Sequence, residues 1–259
     1  MNTLPIISLR NVSKKFHVPK RKDKTILSYL AHAFSESDHL HAEQNIDAIS
    51  HVSFDVYKGE VLGIIGKNAS GKTTLLRVIA GIMQPDSGDV DVRGSITSLI
   101  NLSVGLQPRL TVRDNIHLAC ALLGMNRKET RQNFDSIIMF GELKQYIHMY
   151  PFQLSTGMNQ RLSFSIAVHT TPEVLLLDEV FSAGDIYFQQ KAAQKMKELI
   201  ESDVTVVMVS HDLKKIVEMC DRVLWLESGV VRAYGPVKPI IQDYRNYSKM
   251  NAEKQKISI

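Results

Sequence analysis

The run Gly66-Lys67-Asn68-Ala69-Ser70-Gly71-Lys72-Thr73 has the spacing G-x-x-x-x-G-K-[ST]. Its chemistry is the holding of phosphate. Glycines let the backbone curl so that successive N–H groups face phosphate oxygens. A helix opening at the end of the loop adds partial positive charge at the same spot. Lys72 would reach the β/γ-phosphates of a nucleotide, and the Thr73 hydroxyl would ligate Mg²⁺, with Thr74 next in the same turn. The flanks suit the motif, because Val61–Ile65 reads as a short buried strand and Thr73–Ala80 as a helix. Gly66, Asn68, Ala69, Ser70, Gly71, Lys72, Thr73 and Thr74 are therefore expected to bind a nucleotide. A chance glycine-rich turn is the competing reading, at roughly one chain of this length in a hundred.

Three further stretches carry chemistry. Leu175-Leu176-Leu177-Asp178-Glu179 is an apolar strand that delivers Asp178 to its C-terminal end, where open α/β sheets bind ligands. Asp178 would hold the Mg²⁺ shell through water, and Glu179 would orient or deprotonate an attacking water. A solvated acidic pair at a strand end is the plain alternative. Val209-Ser210-His211-Asp212 ends another apolar strand at the same edge. His211 there reads either as a γ-phosphate or water contact or as a residue capping the turn. Leu154-Ser155-Thr156-Gly157-Met158 opens a helical pattern, with Ser155 as its N-cap and Gly157 allowing close backbone approach. It reads as a second anion site or as an ordinary capped helix.

These residues need a sheet to position them. Val174–Leu177 and Val204–Val209 are near-continuous apolar runs, as parallel strands buried on both faces are. Ile186–Glu201 between them reads as the crossover helix. Ile6–Leu9, Val52–Val56, Val90–Val92 and Ile96–Leu99 read as further strands. From about 110 to 170 the apolar period becomes helical, with Ile116, Ala119, Cys120 and Leu123 on one face. The fold class is thus α/β, interrupted by a helical subdomain. Residues 19–45 begin basic, continue as a short amphipathic helical pattern and end polar, like an insertion. The tail from Pro236 is amphipathic, then charged.

Composition narrows the class. The chain has 259 residues, 44% hydrophobic, enough for a sizeable core. A net charge of +4 does not argue for nucleic acid, and no nucleic-acid partner is expected. Cys120 and Cys220 fit no metal-ligand spacing and read as buried thiols in a reducing compartment. No signal peptide is evident, and no apolar run approaches the roughly 18 residues of a spanning helix. A soluble or peripheral protein is expected.

In order, Gly66–Thr73, Leu154–Met158, Leu175–Glu179, Ser182–Asp185 and His211 resemble the motifs of the ATP-binding-cassette (ABC) ATPases: Walker A, signature, Walker B with its glutamate, D-loop and H-loop. The resemblance runs from about residue 6 to 245. It implies a P-loop NTPase, RecA-like core with an antiparallel β subdomain and a helical subdomain at about 110–170, within a nucleotide-binding domain over 1–245 and ahead of a charged tail at 246–259. It implies a homodimer that sandwiches ATP and Mg²⁺ between the P-loop of one subunit and Ser155 and Gly157 of the other. Glu179 would be the general base, His211 a γ-phosphate contact, and Asp185 part of inter-subunit communication. Phe16 stands where an adenine-stacking aromatic is expected, with a core role as the alternative.

Departures from the family pattern are informative. The signature is LSTGM, the D-loop ends Gly184-Asp185, and no glutamine stands at the usual Q-loop position, leaving Asn101, Leu102 or Gln107. These features, with Ser98–Leu106, Ser163–His169 and Gly184–Lys191, resemble the branch that exports O-antigen, capsular polysaccharide or teichoic acid. That resemblance implies a separate transmembrane permease, a lipid-linked glycan substrate and a peripheral location on the cytoplasmic face of the inner (cell) membrane. Residues 19–45 would then be a gate-helix-like insertion near the membrane, where each basic side chain near anionic headgroups is worth about 1 kcal/mol. A solvated loop is the alternative. A short form without a C-terminal carbohydrate-binding domain is expected. The competing functions are the ATPase of an ABC transporter for another substrate, and a soluble ABC ATPase.

Overall fold

A computed structural model describes residues 4–19, 43–99, 106–170, 172–178 and 185–257. A three-stranded antiparallel sheet contains β1 (Ile7–Pro19), β2 (Glu43–Val56) and β4 (Ser87–Val92), in the order β2-β1-β4. A six-stranded sheet contains β3 (Val61–Ile65), β5 (Ile96–Leu99), β6 (Val174–Asp178), β7 (Thr205–Val209), β8 (Arg222–Glu227) and β9 (Val230–Pro236). Its order is β5-β6-β7-β3-β8-β9, parallel except for the final β8–β9 pair. The helices are α1 (Lys72–Ile79), α2 (Val112–Leu122), α3 (Arg127–Gly141), α4 (Thr156–His169), α5 (Ile186–Glu201), α6 (Leu213–Met219) and α7 (Val237–Ile257).

The parallel strands are buried throughout, yet strand alternation still sorts their side chains between two cores. Val61, Ile65, Leu175, Leu177, Val206, Met208, Val223 and Trp225 face one core with α4, α5 and α7. Leu62, Ile64, Leu176, Val207, Val209, Leu224 and Leu226 face the other, with α1 and the antiparallel sheet. The helical bundle of α2–α4 has its own core, including Val112, Ile116, Cys120, Ile137, Leu154, Leu162 and Ile166. Asn126 caps α3 through a capping box with Glu129, which satisfies amide donors at both positions.

The first two strands run well past Ile6–Leu9 and Val52–Val56. Their pairing continues through register shifts from Ile7↔Val56 to Pro19↔Glu43. The shifts break the two-residue alternation that a strand reading relies on. Of the stretch 19–45, Pro19 and Glu43–Asn45 belong to these strands, and 20–42 lies outside the described residues. At the other end, α7 passes through residue 245 without a break and continues to Ile257. No helix among the described residues is long and apolar enough to cross a membrane.

Candidate functional site

The phosphate-type loop follows β3, an inner strand with parallel neighbours β7 and β8. Two of its glycines are fixed by space. A Cβ on Gly66 would lie 2.1 Å from the Leu226 carbonyl oxygen, and one on Gly71 would lie 2.1 Å from that of Ala48. Gly71 also sits at φ +100° as the N-cap of α1. Ala69 holds a left-handed φ of 61° without being glycine. The turn between β8 and β9 reinforces the loop: the Gly229 N–H donates to the Ser70 carbonyl at 3.0 Å, and the Ser50 N–H donates to the Gly229 carbonyl at 2.8 Å. Loop, turn and β2 are thus stitched together.

Inside this frame the Lys72 side chain is buried. Its ammonium donates to the Gly66 carbonyl at 2.9 Å and the Lys67 carbonyl at 2.8 Å. The loop therefore holds a cation at its own centre. Ser70 is also buried, and its hydroxyl has no hydrogen-bond partner among the described residues. Thr73 and Thr74 are half-buried in the first turn of α1, while Asn68 and Ala69 are exposed. A held ammonium, a helix start, an orphan hydroxyl and two glycines pressed against neighbouring backbone carbonyls fit the phosphates of a nucleotide.

Sheet register brings the other residues to the same edge. Ile64 and Asp178 both align with Val209, so the loop, Asp178 and the Ser210-His211 turn leave neighbouring strand ends at one level. His211 is exposed there. Glu179, the predicted base, lies outside the described residues, as do Ser182–Gly184, Asn101 and Leu102. No cluster of three or more His, Cys, Asp or Glu able to hold a metal occurs among the described residues. Thr73 and Asp178 supply only oxygen, the donor type that suits Mg²⁺ completed by phosphate and water. Phe16 is half-buried on β1 opposite Ile46, two residues along β2 from the Ala48 that abuts Gly71.

A second group assembles on the helical bundle. Ser155 caps α4, its hydroxyl accepting from the Met158 N–H at 3.2 Å. With Gly157 it lines a cleft of roughly 600 Å³ that also takes in Glu142, Tyr146, Arg161 and Asp185. Asp185 caps α5 by accepting from the Phe188 N–H at 2.9 Å. That bond, with Arg161 beside it, holds the carboxyl below the usual range. Arg161 bridges Asp185 and Glu142 and lies over the Phe188 ring. Lys191 donates to the Phe140 carbonyl at 2.9 Å near the end of α3. Ile186 and Tyr187 stand exposed immediately after Asp185. The predicted residues thus fall into two groups: the loop with Asp178 and His211, and Ser155 and Gly157 with Asp185.

Residue reading assigned no role to Asn115 or Arg161. Asn115 is buried, accepts from the Gln107 N–H at 2.7 Å and donates to the carbonyls of Gln107, Leu110 and Thr111. Gln107 itself is exposed. A polar residue followed by an apolar one inside a helical period reads as surface, so only the loop wrapped around Asn115 reveals its job.

Residues 49–182 match the family model described as ABC transporter. A teichoic acids export ATP-binding protein of Enterococcus faecalis is 42% identical over 200 residues, which is 77% of this chain and 44% of that protein. An O-antigen export system ATP-binding protein of Klebsiella pneumoniae is 36% identical over 241 residues, covering 93% of this chain and 98% of that one. The chain therefore spans less than half of the first relative and nearly all of the second. Among solved structures, the dimeric structure of a bacterial ABC transporter cassette superposes with a TM-score of 0.70 at 25% identity, covering 90% of this chain and 99% of that one. An ATP-binding subunit of an ABC transporter gives 0.73 at 20% identity, with coverages of 92% and 93%.

Proposed function

The chain belongs to the ABC transporter family, and we propose that it is the ATP-hydrolysing subunit of an exporter of lipid-linked polysaccharide. The observation that carries the substrate class is the match to nearly the whole of an O-antigen export ATP-binding protein. The teichoic acid relatives extend the class to other glycans on lipid carriers. Polysaccharide on a lipid must cross a membrane, so a separate spanning permease is part of the reading. The subunit would work at the cytoplasmic face of the cell membrane.

The backbone N–H groups of Gly66–Gly71 and the Lys72 ammonium would cradle the phosphates, and Phe16 would stack on the adenine. When bound, Mg²⁺ would neutralise phosphate charge, held by the Thr73 hydroxyl and by Asp178 through water. Glu179 would take the proton of the attacking water while His211 holds the γ-phosphate. Water oxygen bonds to the γ-phosphorus, the bond to the β–γ bridging oxygen breaks, and ADP and phosphate leave. Ser155 and Gly157 from a second copy would close the site, with Asp185 at the junction. The dimeric cassette among the solved structures supports this pairing, as do the exposed Ile186 and Tyr187 beside the cleft.

The test is glycan location in a strain lacking this protein, complemented with wild type or with Glu179→Gln. Lipid-linked glycan should accumulate inside the cell and be relieved by wild type alone. Unchanged surface glycan in the deletion strain would remove the polysaccharide assignment and leave the ATPase. In vitro, Lys72→Ala should abolish tight ATP binding, because the charge facing the phosphates is lost.

A further inference from the structure

We propose that Tyr247 on α7 is a positioning residue for the phosphate loop, so that the C-terminal helix sets nucleotide affinity. The inference rests on the reading of Gly66–Thr73 as an ATP site. Helix α7 is anchored by Val237, Ile240 and Ile241, all buried in the core. The Tyr244 and Tyr247 rings then pack on Trp225 of β8 at 5.3 and 5.1 Å. The Tyr247 hydroxyl bonds to the Glu227 carboxylate, at the end of β8. Glu227 directly follows Leu226, whose carbonyl abuts Gly66. The ring is thereby held beside the start of the loop.

From that position the Tyr247 ring meets the Lys67 ammonium, 5.6 Å from the ring centroid. Lys67 is an exposed loop residue. Its carbonyl accepts from the Lys72 ammonium at 2.8 Å and from the Ser70 N–H at 3.2 Å. A continuous path therefore runs from α7 through the Lys67 side chain and backbone to the buried lysine. Holding Lys67 over the ring restricts a long flexible side chain and favours the loop geometry in which its carbonyl faces Lys72. Arg232 shares the ring at 4.9 Å and pairs with Glu227 at 3.3 Å, which fixes the aromatic rather than the loop.

A cation–π contact at an exposed site corresponds to about a two- to fivefold change in an equilibrium constant. The experiment measures the Kd of a fluorescent ATP analogue with Mg²⁺, and KM and kcat for ATP, on the full chain with thermal unfolding alongside. Tyr247→Leu and Lys67→Met should each weaken binding about two- to fivefold, and in Tyr247→Leu the change should appear in KM rather than in kcat. Tyr247→Phe, which keeps the ring on Trp225 but loses the bond to Glu227, should bind more tightly than Tyr247→Leu. The double variant Lys67→Met/Tyr247→Leu should bind no worse than either single variant. Wild-type affinity in Tyr247→Leu, or effects that multiply in the double variant, would overturn the proposal. If Tyr247→Leu does not fold, Tyr247→Met, which fills the space without a π face, replaces it under the same criteria. Lys72→Ala separates the two levels: if it binds ATP as wild type does, the loop assignment fails, whereas a silent Tyr247→Leu beside a dead Lys72→Ala sinks only the role of α7.

Discussion

Replacing Gly71 by alanine tests the geometry of the loop directly. The new Cβ would stand 2.1 Å from the Ala48 carbonyl oxygen and 3.1 Å from Ile49 Cγ2. Carbon–oxygen contacts settle near 3.3 Å, so loop and strand must part by about 1 Å. Alanine at positive φ adds about 1–2 kcal/mol, and displacing a packed strand about 1–3 kcal/mol. The sum is about 2–5 kcal/mol, a fall in Tm of about 4–9 °C for a chain of this size. Gly81→Ala is the internal control. Gly81 has a φ of +69°, but nothing lies within 4 Å of its would-be Cβ. It bears only the backbone cost, about 1–2 kcal/mol. Thermal unfolding of both variants, with ATP-analogue titration, separates backbone conformation from close approach. Gly71→Ala should melt well below Gly81→Ala and lose at least tenfold in affinity. Equal Tm values would refute the claim that the Ala48 carbonyl fixes this residue.

Three other outcomes are expected. Asn115→Ala should lower stability by about 1–3 kcal/mol, because the Gln107 N–H and the carbonyls around the buried Asn115 amide lose their partner; denaturant unfolding and faster exchange of the Gln107 amide check it, and a neutral variant would count against the stitch. Burial pushes the Cys120 thiol up to about 11 and the Cys220 thiol to about 12. At pH 8 only about one in a thousand and one in ten thousand would be thiolate, so native labelling should be far slower than in denatured protein; equal rates would contradict the burial. Burial also raises Tyr234, to about 12. Its hydroxyl donates to the Asp55 carbonyl and joins the two sheets. The unfolded phenol ionises near 10 while the folded one stays protonated, so stability from this group is complete below pH 10 and declines as pH rises toward 12. Tyr234→Phe should flatten that alkaline decline in denaturant titrations, and an unchanged slope would refute the assignment.

The strand–loop–helix at Gly66–Thr73 and the crossover helix Ile186–Glu201 were legible because local pattern and long-range role coincide there. A buried strand, a glycine turn and a helix start are all local signals. The lengths of β1 and β2 were not legible, because bulges break the alternation while pairing continues. The tail after 245 reads as charged, yet α7 persists because Tyr244 and Tyr247 dock on Trp225, a contact invisible without the sheet. Asn115 and Arg161 were missed for a related reason. Arg161 takes its partners from distant segments, and Asn115 takes its from the irregular loop just before its helix, and periodicity carries no record of either. For the site, the residues at the strand ends could be listed from sequence, but their common level required the register of β3, β6 and β7.

The neighbours of the glycines carry a consequence for how this chain can change over generations. Gly66 and Gly71 are crowded by carbonyl oxygens of Leu226 and Ala48, atoms that every amino acid possesses. No replacement of Leu226 or Ala48 can remove them. Gly63 and Gly141 are different, since the atoms nearest their would-be Cβ belong to the side chains of Cys220, Ile216, Ser165 and Leu143. A loss at Gly63 can be repaired by a smaller residue at 216 or 220. A loss at Gly66 or Gly71 can be repaired only by reversion. In a suppressor screen, alanine variants at Gly63 and Gly141 should yield second-site revertants, while those at the two loop glycines should return only to glycine.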